Sequence, residues 1–120
     1  MSKKGLRVND YLEHILQAIE RIERYTFGKD EAAFLQDEQL QDAVIRNIEI
    51  LGEAANNVKK ADPLLADSHP EVPWLEMVAM RNRVSHAYFS IDQEIVWTTI
   101  RNDLPGMKRQ ILELIKSLQG

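Results

Sequence analysis

Residues 37–60 read DEQLQDAVIRNIEILGEAANNVKK, and this stretch decides the fold class. Its apolar residues are Leu40, Ala43, Val44, Ile48, Ile50, Leu51, Ala54, Ala55 and Val58, spaced as on a helix and not alternating as on a strand. They cover well over half the circumference, so the helix is either central or also part of an oligomer interface. Gly52 in its interior costs roughly 1 kcal/mol relative to alanine. A second helix approaching closely is the usual reason to keep such a glycine, and tolerated slack is the other.

The same period extends in both directions. Toward the N-terminus, Val8, Leu12, Ile15, Leu16, Ile19 and Ile22 form one stripe, with Asn9 or Asp10 expected as its cap and Gly28 just past its end. Glu13, Gln17, Glu20, Arg21 and Arg24 occupy the opposite face, and Glu20–Arg24 stand in the favourable i,i+4 order. Residues Asp30 to Phe34 predict a short helical turn anchored by Phe34 and Leu35. Toward the C-terminus, Pro63, Pro70 and Pro73 predict a loop over residues 61–73. Trp74 to about Tyr88 is helical by composition. A helix over residues 92–102 follows, capped by Asp92, with Ile95, Val96, Ile100 and Trp97 turned inward. Asp103-Leu104-Pro105 opens the last helix, whose stripe is Met107, Ile111, Leu114, Ile115 and Leu118. The expected architecture is all-α, an antiparallel bundle of four to five helices in a single domain over residues 1–120, without repeats.

Composition sets the limits on chemistry. The 120 residues carry 15 Lys+Arg against 19 Asp+Glu, a net charge of −4, with 44% hydrophobic residues and no cysteine. Disulfides, thiolate nucleophiles and thiolate metal sites are therefore excluded. The start, Met1-Ser2-Lys3-Lys4-Gly5, has no apolar core behind it and does not read as a signal peptide. No apolar run approaches the ~20 residues that span a bilayer. A cytoplasmic protein with no membrane contact is expected. A pI near 5.4 also speaks against a protein that grips nucleic acid over its whole surface.

One segment does not fit a plain bundle: Met80-Arg81-Asn82-Arg83-Val84-Ser85-His86-Ala87-Tyr88. On an ideal helix with Arg81 at zero, Tyr88 lies at about −20°, Ser85 at about +40°, Asn82 at about +100° and His86 at about +140°. The polar groups share one broad arc, and Met77, Val84 and Ala87 face the other way. Asn82 and His86 are i,i+4 neighbours, so the amide could orient the imidazole. The segment holds two arginines and no acid, a local cationic patch in an acidic chain.

Phosphodiester cleavage without a metal needs a group that moves protons near neutrality and a fixed cation on the phosphate. Histidine and arginine supply them. One helix offers a single histidine, whereas a dimer apposing two copies offers an acid–base pair. The same arc also suits a solvated helix face or a helix C-terminus, where cations favour the dipole. His14 reads as a structural or surface residue, His69 as exposed, and Glu49/Glu53 as a solvated edge. No spacing of histidines or carboxylates suits a metal.

Arg81, four residues, His86, one residue, Tyr88 resembles the R-x4-H-x-Y signature of HepT-like proteins in the HEPN superfamily. Tyr11-Leu12-Glu13-His14-Ile15, Ile50-Leu51-Gly52-Glu53-Ala54-Ala55, Pro73-Trp74, Ile91-Asp92, Val96-Trp97 and Asp103-Leu104-Pro105 extend the likeness over nearly the whole chain. Ser85 and Ala87 depart from the bulkier residue and the glycine more usual beside the histidine. The resemblance implies a metal-independent endoribonuclease, the toxin of a type VII toxin–antitoxin pair, acting on RNA (tRNA or mRNA) from a cleft shared by a homodimer, or by a dimer of dimers. It implies no cofactor. Arg81 would bind the phosphate, His86 would be the general acid or base, and Asn82 would support the site. Tyr88 would receive AMP from an MntA-like nucleotidyltransferase antitoxin. A non-catalytic partner that binds nucleotide or the transferase is the alternative.

Overall fold

Four aspartates punctuate the chain. Asp30, Asp37, Asp62 and Asp92 each stand before a helix and accept a backbone N–H from its first turn, as N-caps do. The computed structural model describes residues 3–86 and 91–119. Among them it places seven helices and no strand: α1 (Lys3–Thr26), α2 (Glu31–Leu35), α3 (Glu38–Ala61), α4 (Pro63–Ser68), α5 (Trp74–His86), α6 (Gln93–Asn102) and α7 (Leu104–Gln119). The side chains of residues 3–6 and of His86 lie outside the described residues, as do residues 87–90.

The all-α reading holds, with α2 and α4 as single-turn additions to five longer helices. The 24-residue helices α1 and α3 are each about 36 Å long at 1.5 Å per residue, so they set the 47 Å long axis. Helix α3 is central. It packs on α1 along one side and on α5 along another, while α7 closes against α1 and α6. Leu12, Ile15 and Ile19 of α1 and Val44, Ile48 and Leu51 of α3 belong to one core, and each is at most 2% exposed.

Several local expectations change. Helix α1 begins at Lys3, so Asn9 and Asp10 lie inside it and cap nothing; Gly5 alone costs too little to break a helix with so strong a stripe. Gly28 does end the helix region, at a φ of 73° that favours glycine. Residues 63–68 form α4 within the expected loop, because Pro63 sits in the first turn, where its missing N–H costs nothing. Phe34 is buried against Trp97, with ring centroids 5.3 Å apart, but Leu35 is exposed. On α6 the inward residues are Val96, Trp97 and Ile100, and Ile95 is 56% exposed. On α7 Leu118 is exposed and Ile115 only half-buried.

Candidate active site

The α3–α5 seam is built around a missing side chain. A Cβ on Gly52 would lie 2.3 Å from the Cβ of Arg81 and 2.8 Å from the carbonyl oxygen of Met77. Gly52 is therefore kept for close helix approach, and what it admits is the stem of Arg81. Two polar contacts then run along the same seam. Glu53 pairs with Arg81 Nη1, and Ser85 Oγ donates to Glu49 Oε2 at 3.2 Å. The α3 partner advances by four residues as the α5 partner falls by four, the register of antiparallel helices. Glu49 and Glu53 repel each other at i,i+4 on α3, and each finds its relief on α5.

Arg81 is held further by its neighbour. Its Nε and Nη2 donate to Asn82 Oδ1 at 3.2 and 2.8 Å. Of the five N–H groups on a guanidinium, three are thus engaged, and two have no partner among the described residues. The Asn82 oxygen is turned to Arg81 and fixes the guanidinium. Met80, Val84 and Met77 are buried on the flank of α5 beside Arg81, about 100°, 60° and 40° round from it on the side away from Asn82.

These residues open onto a cleft of about 480 Å³ whose polar lining is His14, Arg46, Glu49, Glu53, Arg81 and Ser85, together with Asn57 and Asn82. Sequence reasoning missed most of this set. Glu49 and Glu53 line the cleft in place of a mere solvated edge. His14 also faces it, edge-on to Tyr11 at a centroid distance of 6.4 Å. Their i,i+4 spacing on α3 and the position of His14 beside the α1 stripe were the available signals. The expected cationic patch is also corrected. Arg83 lies about 200° round from Arg81 and pairs with Glu76 at 3.1 Å. Arg81 and Arg46 in the cleft are matched by Glu49 and Glu53, so its arginines and carboxylates balance.

The catalytic candidate His86 is the last residue of α5, five positions after Arg81 on the same helix. Its side chain and all of Tyr88 lie outside the described residues. His69 is not exposed as expected but half-buried: its carbonyl accepts from Trp74 Nε1 at 3.2 Å, and its Nδ1 is 3.0 Å from Glu71. The Glu71 carboxyl is held below its ordinary range by its own backbone N–H and then by His69. A second, apolar cavity of about 340 Å³ lies across α5, walled by Ile48, Met80, Val84 and Val96. No group of three or more histidines and carboxylates with metal-binding geometry occurs among the described residues. No helix among them is long and apolar enough to cross a membrane.

Comparison with known proteins adds a family. Residues 15–114 match the family described as ribonuclease HepT-like. The chain is 44% identical over 107 residues to "Probable ribonuclease HepT" of Thermococcus cleftensis, covering 89% of this chain and 94% of that one. It is 36% identical over 106 residues to a "Putative RNase" of Caldanaerobacter subterraneus subsp. tengcongensis, covering 88% and 92% of the two chains. A Methanocaldococcus jannaschii protein named "Gamma-glutamylcyclotransferase and putative RNase" is 40% identical over 111 residues; these are 92% of this chain but 49% of that longer one. No solved structure matches.

Proposed function

The chain belongs to the HepT-like ribonuclease family, and from that premise we propose that it is a metal-independent endoribonuclease, the toxin of a toxin–antitoxin pair. The observation that carries the reading is Arg81, anchored over Gly52 at a polar cleft with His86 five residues on in the same helix. Arg81 binds a bridging phosphate through its outward N–H groups and stabilises the charge that grows on it during cleavage. His86 moves the proton at the attacking 2′-hydroxyl or the leaving oxygen. A homodimer that apposes two α5 helices supplies one histidine as base and the other as acid. RNA, either tRNA or mRNA, is the substrate.

Tyr88 accepts AMP from an MntA-like nucleotidyltransferase, the antitoxin. Each added AMP brings bulk and a phosphate charge to the motif, which repels RNA and competes for Arg81.

The test is cleavage of tRNA and mRNA by purified protein in EDTA. The wild type cleaves both or one of them, and His86→Ala loses about 10²- to 10⁴-fold in rate. No cleavage by the wild type, or equal cleavage by the variant, overturns the reading. The balanced charge of the cleft favours one second reading, a domain that docks its transferase without cutting RNA. In that case the protein binds the transferase and leaves RNA intact.

A further inference from the structure

We propose that Glu53 is a resident competitor for the phosphate site on Arg81, so that RNA binds by exchanging a carboxylate for a phosphate. The proposal rests on the reading of Arg81 as the phosphate-binding residue and adds a residue that sets how tightly that site holds RNA. Three observations support it.

The first is position. Asn82 takes the Nε–Nη2 edge of Arg81 and Glu53 holds Nη1, so a bidentate phosphate contact on the remaining Nη1–Nη2 edge uses a nitrogen that Glu53 occupies. The second is asymmetry of exposure. The Arg81 side chain is 24% exposed and the Glu53 side chain 56% exposed. Arg81 is also fixed by the Gly52 contact and by Asn82, whereas no second hydrogen bond holds Glu53 among the described residues. An exchange therefore moves the carboxylate into water and leaves the guanidinium in place. The third is energy. An exposed ion pair of this kind is worth only about 0–1 kcal/mol, so a phosphate with two charge-assisted bonds can displace it. A buried pair could not be exchanged so cheaply. With Glu53 displaced, Arg46 and Arg81 remain as the cationic rim of the cleft.

The difficulty in testing this is that removing any acid from a cleft favours a polyanion. Glu49 supplies the control, since it lines the same cleft, one turn away, and contacts Ser85 and not Arg81. The probe is a fluorescein-labelled single-stranded RNA with 2′-O-methyl sugars throughout, which cannot be cleaved, followed by anisotropy at 0.15 M salt. Glu53→Gln binds it about fivefold more tightly than the wild type, as loss of a competitor on Arg81 predicts. Glu49→Gln gains no more than about twofold, the effect of a screened charge nearby. Glu53→Ala behaves as Glu53→Gln does, because neither retains a competing carboxylate.

Binding by Glu53→Gln that is no tighter than by Glu49→Gln, or weaker than by the wild type, overturns the proposal and makes Glu53 a positioning residue. Arg81→Lys keeps the stem against Gly52 and loses the planar fork, so it separates the two levels. Binding that is indifferent to Arg81→Lys and Arg81→Ala removes the phosphate role of Arg81 itself, and the competitor role with it. Binding that needs Arg81 yet ignores Glu53 leaves the ribonuclease reading intact and removes only the competitor.

Discussion

Helix α3 meets α1 and α5 in opposite ways. In the core it shares with α1 it buries Val44 and Leu51 along with the equally apolar stripe of Leu12, Ile15 and Ile19. Against α5 it presents Gly52, Glu49 and Glu53, with polar partners Arg81 and Ser85. The first interface removes large side chains from water and supplies stability. The second brings two backbones together on a glycine and leaves polar groups at an open cleft. One helix thus divides the labour of the molecule, with α1–α3 holding the fold and α3–α5 holding the polar cleft proposed for the chemistry. Fold and function are separable to the extent that substitutions on one side leave the other unmoved.

The strongest way to break that division is to cut deep on the apolar side. Ile19→Ala empties part of a fully buried site and should cost about 2–5 kcal/mol, read by urea unfolding. Its cleavage rate per folded molecule, measured well below the melting temperature, should match the wild type. His86→Ala should show the reverse pattern. An Ile19→Ala protein that is folded yet cleaves tenfold more slowly would show that the α1–α3 packing tunes the cleft after all.

Gly52 lies on the boundary and tests the division more finely. A methyl group there meets the Arg81 stem and the Met77 carbonyl oxygen, so α5 must move away. Overpacking of about 1–3 kcal/mol outweighs the roughly 1 kcal/mol that alanine gains in helix propensity, leaving a net loss of about 1 kcal/mol. Gly52→Ala should therefore lower both the melting temperature and the RNA affinity, since Arg81 moves with α5. Gly106→Ala is the control. Its Cβ meets nothing nearer than Arg109 Nη2 at 3.9 Å, and it should be neutral or slightly stabilising with unchanged cleavage.

How much of this was readable in advance follows the same boundary. The apolar stripes of α1 and α3 are dictated by helical period, and burial of Leu12, Ile15, Ile19, Val44 and Ile48 follows directly from it. Period alone misplaced residues at the stripe edges. Ile95 and Leu35 face solvent because Trp97 and Phe34 fill the contact between α2 and α6. Helix α4 was hidden by Pro63 and by the prolines that follow it, since only the aspartate ahead of Pro63 distinguishes a helix start from a loop. At the site, Arg81 and Asn82 could be named from the motif. Glu53, Glu49 and His14 could not be tied to them, because pairings 28 and 36 residues apart depend on the register of α3 against α5. Gly52 was the one hint that such a register exists.

The smallest effect comes from an ion pair that resembles Arg81–Glu53 in kind but lies outside the cleft. Lys108 Nζ donates to Glu23 Oε1 at 2.8 Å and ties α7 to α1. The Glu23 carboxylate, by accepting this bond, raises the Lys108 ammonium above its ordinary range. A raised lysine contributes its stability fully below the unfolded value of about 10.4 and loses it as pH climbs through the higher folded value. Lys108→Met keeps much of the stem packing and removes the charge. The melting temperature should fall by at most about 4 °C, equally at pH 6 and pH 9, with the difference closing only above the ordinary lysine range. RNA affinity should not change. If Lys108→Met altered RNA binding as strongly as Glu53→Gln, the effect of Glu53 would be one of overall charge and not of its place on Arg81. The expected contrast between two similar ion pairs, one felt only in stability and the other in binding, is therefore the sharpest test of the role proposed for the α3–α5 seam.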